Sequence, residues 1–77
     1  MKKTLEQCKI GESGKVVEVG GEGRMRRRLF DMGVTAGAEV TMRKRAPLGD
    51  PLEVTLRGYE LSLRRSEAAL VTVEVGA

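Results

Sequence analysis

The chain has 77 residues, 40% apolar and 32% charged, with 14 basic against 11 acidic residues and no histidine. That length supports a single domain, residues 1–77, and leaves little room for an enclosed active site beside its small core. No run approaches the roughly 18 apolar residues of a membrane-spanning helix. The two leading lysines precede no apolar stretch of a secretory signal, and one cysteine cannot close an internal disulfide, which points to the reducing cytosol.

In chain order, Cys8 in "LEQCKIG" stands near Leu5 and reads as core, the usual place of a free cysteine. "KVVEV" (15–19) is short, β-branched and preceded by Gly14, a strand signature that "GGEG" (20–23) ends. The next segment, "RMRRRLFDMG" (24–33), breaks the strand rhythm. At about 100° per residue it predicts a short amphipathic helix within Gly23–Met32. Met25, Leu29 and Met32 fall on one inward stripe, and Arg24, Arg27 and Asp31 lie opposite. Arg28 borders the stripe, where its stem can cover apolar surface. Phe30 lies off it, either packed sideways on the barrel or standing as an exposed anchor. Gly33 sits at the helix stop, where the left-handed conformation is tolerated. Ala36-Gly37 has the form of a type II turn, with Gly37 supplying positive φ.

Three alternating runs follow. "EVTMRKR" (39–45) puts Val40 and Met42 on one face, "LEVTLR" (52–57) does the same with Leu52, Val54 and Leu56, and "YELSL" (59–63) with Tyr59, Leu61 and Leu63. Gly58 marks a tight hairpin between the last two. "APLGDP" (46–51) is a loop stiffened by two prolines, with Leu48 near its tip, either presented as an apolar anchor or folded back on the barrel. Ser66 is placed to cap one turn, "SEAA", before a final strand, "LVTVEV" (70–75). About five short strands separated by glycines predict a mostly β fold, a small barrel or sandwich with a short helical insertion.

The positive charge is regional. Residues 24–45 contain seven basic side chains and two acidic ones, which suits an oriented encounter with an anionic surface. Catalysis finds no support: no Ser/His, Cys/His or two-carboxylate arrangement can be assembled, and "GGEG" lacks the Lys-Ser/Thr ending of a P-loop. Scattered carboxylates without histidine make a poor ferrous-iron site, so no metal or cofactor is expected. Nucleic acid is the rival partner, because a basic segment can contact phosphates. Single-strand binders stack bases on aromatics, however, and Phe30 and Tyr59 are the only aromatics here. A plain solvated helix face accounts for some of the arginines on either reading.

With these elements placed, the chain resembles the FeoA family across nearly its whole length. The resemblance is carried by "GESGKVVEV" (11–19), "RRRLFDMGVTAGAEV" (26–40), "APLGDPLEVTLRG" (46–58) and "YELSLRRSEAALVTV" (59–73), in that order. Met32 and Val34 stand where the family has leucines, Ala36 where it has a turn proline, and Ile10 where proline is common. The resemblance implies an SH3-like β-barrel of about five strands. It also implies a non-enzymatic, cytoplasmic role in bacterial ferrous-iron uptake through FeoB, the membrane transporter with a cytosolic GTPase domain. The same pattern resembles the C-terminal domain of DtxR-type metal regulators. Self-association is compatible with either. The expected docking face combines Arg24 and Arg27 with Arg43, Lys44, Arg45 and Leu48.

Overall fold

The computed structural model describes Met1–Gly76; Ala77 lies outside the described residues. Six antiparallel strands form one sheet in the order β1-β6-β2-β3-β4-β5. They are β1 (Lys2–Thr4), β2 (Ser13–Val19), β3 (Glu39–Arg45), β4 (Leu52–Leu56), β5 (Tyr59–Leu63) and β6 (Val71–Val75), with helices α1 (Gly23–Asp31) and α2 (Arg65–Ala68). The fold is the mostly β, SH3-like barrel with a helical insertion that the alternating runs imply.

Alternation explains the core. Val40 and Met42 of β3, Leu52, Val54 and Leu56 of β4, and Val71, Val73 and Val75 of β6 all point inward and are buried. Each fully buried Leu or Val contributes about 1.5–3 kcal/mol relative to exposure. Two register shifts bend the sheet around this core, at Val16/Glu18 in β2 and Met42/Lys44 in β3. An inserted residue raises local twist and bends its strand, which lets a small sheet curl. Arg57 (φ 50°) and Gly58 (φ 87°) make the two-residue turn between β4 and β5. Positive φ at both positions is the hairpin turn whose twist matches the flanking strands.

The structure corrects two expectations. A sixth strand, β1, pairs with β6 through Lys2↔Glu74, Lys3↔Val73 and Thr4↔Thr72. Its three residues carry no alternation of their own; pairing alone makes them a strand. Ser66 is not the cap of α2, because the helix begins one residue earlier, at Arg65. Its free N–H groups are met instead by Glu67, whose Oε1 accepts the Arg64 N–H at 2.8 Å, and by Asp50, whose Oδ1 accepts the Arg65 N–H at 2.9 Å. The "APLGDP" loop thereby holds the helix that follows β5.

Helix α1 is fastened at both ends of the β5–α2 segment. The Tyr59 hydroxyl donates to the Met32 carbonyl at the helix C-terminus. Arg57 donates to Gly33 O at 3.3 Å and Thr35 Oγ1 at 2.7 Å. Farther along, the Arg28 guanidinium lies 3.6 Å from the Glu67 carboxylate. Glu67 is buried, and the helix N–H and the guanidinium together satisfy its charge, as a buried carboxylate requires.

Candidate functional site

Helix α1 carries four arginines in nine residues, and its apolar side is smaller than the periodicity implies. Leu29 is fully buried, while Phe30 and Met32 pack on the core half-buried. Met25, expected inward, is 39% exposed. The cause is where the helix is anchored: every tether from the hairpin reaches its last turn or the residues after it. The last turn is therefore pressed onto the barrel, while in the first turn Arg26 reaches back to β2 and Met25 is left partly uncovered.

That first turn opposes ordinary helix electrostatics. It contains no acidic residue, and no side chain caps its N-terminus. Arg24 and Arg26 stand there instead, against the positive end of the macrodipole, an effect of about 0.3–1 kcal/mol per charge. Arg24 also faces Arg27 and Arg28 at the spacings where like charges repel. Among the described residues, Arg24, Arg26 and Arg27 have no carboxylate within salt-bridge distance; Arg28 alone of the four is paired.

Arg26 is held more firmly than a surface arginine usually is. Its Nε donates to the Val19 carbonyl at 3.1 Å, and its guanidinium carbon lies 4.5 Å from the centre of the Phe30 ring. The stacking answers the choice left open for Phe30: the ring packs on the core and supports a cation on its outer face. Gly23, Arg26, Arg27 and Phe30 line an open cleft. In the charge count Arg26 is one basic residue among seven, and the apolar stripe does not include it; the signal that singles it out is an Arg and a Phe four residues apart on one helix.

The other candidates are spread over several elements. Leu48 is 92% exposed, so the loop presents it rather than folding it back. Lys44 is exposed, and exposed Arg43 is turned along its own sheet, with Nε donating to Thr55 Oγ1 at 2.8 Å. Arg45 serves the fold. Its guanidinium donates to the Glu6 and Cys8 carbonyls, pinning the N-terminal 3₁₀ turn (Leu5–Gln7) to the end of β3. Arg45 is therefore not a free docking charge. Among the described residues, no hydrogen bond or ion pair joins Arg24 or Arg27 to the 43–48 segment. The loop and α1 are each attached to α2, through Asp50 and Arg28 respectively.

Gly33 (φ 93°) and Gly37 (φ 91°) shape the exit from α1. The Ala38 N–H bonds Thr35 O at 3.0 Å across the second of these turns. At Gly33 there is also no room, since a Cβ would stand 2.7 Å from the Tyr59 hydroxyl. Cys8 is buried, and its thiol pKa is raised, first by that burial and then by the nearby Glu12 charge. Such a thiol is inert packing rather than a nucleophile. Among the described residues no three metal-ligating side chains come together. What the α1 surface can do chemically is bind anionic groups.

Comparison with known proteins places this arrangement. The FeoA domain model matches residues 3–75. A protein of Porphyromonas gingivalis, an Fe(2+) transport protein A/Fe(2+) transporter FeoB fusion protein, is 37% identical over 71 residues; the match covers 92% of this chain and 8% of that protein. The chain thus spans a small fraction of the length of that relative. The solution structure of a FeoA-like protein from Clostridium acetobutylicum is 41% identical and superposes with a TM-score of 0.90, covering 99% of this chain and 88% of the other. The FeoA of Stenotrophomonas maltophilia, crystallised with zinc and described as a prokaryotic SH3 domain protein, is 33% identical. Its TM-score is 0.80, covering 94% of this chain and 89% of that one. A family match over residues 3–75, from β1 to β6, with superpositions that cover 94% and 99% of this chain, establishes that the chain belongs to the FeoA family.

Proposed function

We propose that this chain is a non-enzymatic, cytoplasmic accessory module of bacterial ferrous-iron uptake that docks on the cytosolic part of FeoB. The observation that carries the reading is the fusion protein, in which a related domain and an FeoB transporter form one polypeptide. Covalent joining keeps two proteins at one place, which supports a working partnership when they are separate chains. The surface is suited to it: an exposed basic helix and an exposed leucine at a loop tip are rim and anchor types of an interface. Iron in this reading is the cargo of the transporter, and the chain acts through protein contact.

The test is binding of this chain to the isolated FeoB cytosolic domain at two ionic strengths. Saturable binding that slows in association as salt rises is expected. Absence of binding at both, with recovery of RNA rather than transporter in a pull-down from lysate and membranes, overturns the reading.

A further inference from the structure

The geometry points to a carboxylate-binding cleft on α1, in which Arg26 is the fixed anchor for an acidic segment of a partner protein. Four observations converge on it. Arg26 is immobilised from two sides, by Val19 O at 3.1 Å through Nε and by the Phe30 ring at 4.5 Å. Its two terminal nitrogens have no hydrogen bond within the chain, among the described residues. They present a fork that matches a carboxylate bidentately. The open cleft beside it is lined by Gly23, Arg26, Arg27 and Phe30, so its lining combines basic side chains with one aromatic. Finally, the charges of the first turn are unneutralised within the fold and oppose both their helix and one another. Features that break local rules without internal compensation mark functional surfaces. An acidic partner segment relieves all of these repulsions at once.

A pre-fixed guanidinium also loses little side-chain freedom on binding, which distinguishes Arg26 from Arg24 and Arg27 as the anchor. The partner class follows from charge and geometry: carboxylates on a flexible, acidic protein stretch. A nucleic acid would find phosphate contacts here but only one aromatic, already covered by Arg26 on one face, and so no free stack for its bases. The inference rests on the docking reading only for the partner's identity.

The experiment is nuclear magnetic resonance of the labelled protein titrated with a hexaglutamate peptide, a single-stranded oligonucleotide and inorganic phosphate separately. The peptide is expected to shift the Arg26 Nε–H and the Phe30 ring resonances of the parent protein. Arg26→Gln should weaken peptide binding and FeoB-domain binding about tenfold, the scale of a charge-assisted hydrogen-bonded contact. Arg26→Lys keeps the charge but loses the fork and should weaken both as well. Unmoved Arg26 and Phe30 resonances, parent-like binding by Arg26→Lys, or tighter binding of the oligonucleotide than of the peptide overturns the proposal. An FeoB domain that fails to bind while the peptide still engages Arg26 overturns the docking reading alone. An FeoB domain that binds the parent and Arg26→Gln equally overturns the cleft alone.

Discussion

The Asp50 carboxylate accepts the main-chain N–H of Arg65 at 2.9 Å, so a loop residue 15 positions earlier caps the helix that follows β5. The contact joins the exposed Leu48 loop to α2, and α2 in turn holds α1 through Glu67 and Arg28. Asp50→Ala should therefore destabilise the protein by about 1 kcal/mol, the usual worth of a helix cap. For a domain this small that lowers the melting temperature by roughly 4–8 °C. Asp50→Asn, which keeps an acceptor, should lose less. Thermal unfolding followed by circular dichroism distinguishes them, and equal loss in both would mean that the charge matters rather than the cap.

Two glycines with nearly the same φ should respond differently to alanine. Gly37 has open space where a Cβ would go, so Gly37→Ala pays only for positive φ, about 1 kcal/mol. At Gly33 the new methyl also meets the Tyr59 hydroxyl, which is engaged with Met32 O. Gly33→Ala should be the more damaging, and part of its effect should vanish in a Tyr59→Phe background. A double-mutant cycle in chemical denaturant measures that coupling; additive losses would show that the steric contact is relieved elsewhere.

Stability should fall as the pH drops below the ordinary glutamate value of 4.5. Glu12 accepts the Lys9 backbone N–H at 2.9 Å and the Lys3 ammonium at 3.0 Å. These contacts, the backbone one first, hold its carboxyl below the usual range. A depressed folded pKa gives stability that is present above the unfolded value and is lost as pH falls through the folded one. Glu12→Gln should thus be less stable than the parent at neutral pH and converge with it in acid. Denaturant midpoints at pH 7 and pH 3 are the measurement, and a constant gap between the two proteins would remove Glu12 from the acid response.

How much of this was legible in the sequence depends on whether the signal was local. Strands β3 to β6 were visible because apolar and polar residue types alternate through all or part of each one, although in β5 only Leu63 is buried and Tyr59 lies exposed at the rim. β1 was not, since "KKT" becomes a strand only by lying against β6. The helix was visible as a period, but periodicity gives a face and not a tilt, so it points Met25 at a core from which the side chain is left partly exposed. Arg45 looked like free charge because its partners are main-chain carbonyls at Glu6 and Cys8, to which a count of side chains is blind. The cap of α2 comes from Glu67 within the helix and from Asp50 across the fold, while the serine beside the helix suggested itself. At the candidate site, the basic excess of residues 24–45 was legible, but the fixing of Arg26 depends on the Val19 carbonyl, which only the folded chain brings near.

Charge and anchor should separate kinetically at the proposed docking surface. Arg24 and Arg27 are exposed and unpaired among the described residues, so in the proposed docking their expected part is to draw an acidic surface inward before contact. Reversing both to Glu should slow association with the FeoB cytosolic domain and reduce its dependence on salt, with smaller effect on dissociation. The same change places two acids near the positive end of the helix dipole, so it should not lower the melting temperature. Leu48 is a different case. It stands 92% exposed at the tip of a loop whose base is tied by the Ala46 N–H to Pro51 O at 3.0 Å and by Asp50 to α2. An apolar side chain held out on a supported loop gains by being buried in a partner, and truncating it removes contact made only after docking. Leu48→Ala should therefore speed dissociation severalfold, leave association and its salt dependence unchanged, and leave the fold as stable as the parent. Binding kinetics at two salt concentrations read both effects in one series. Should Leu48→Ala dissociate like the parent while the double arginine reversal still slows association, the loop lies outside the interface and the helix alone meets the partner.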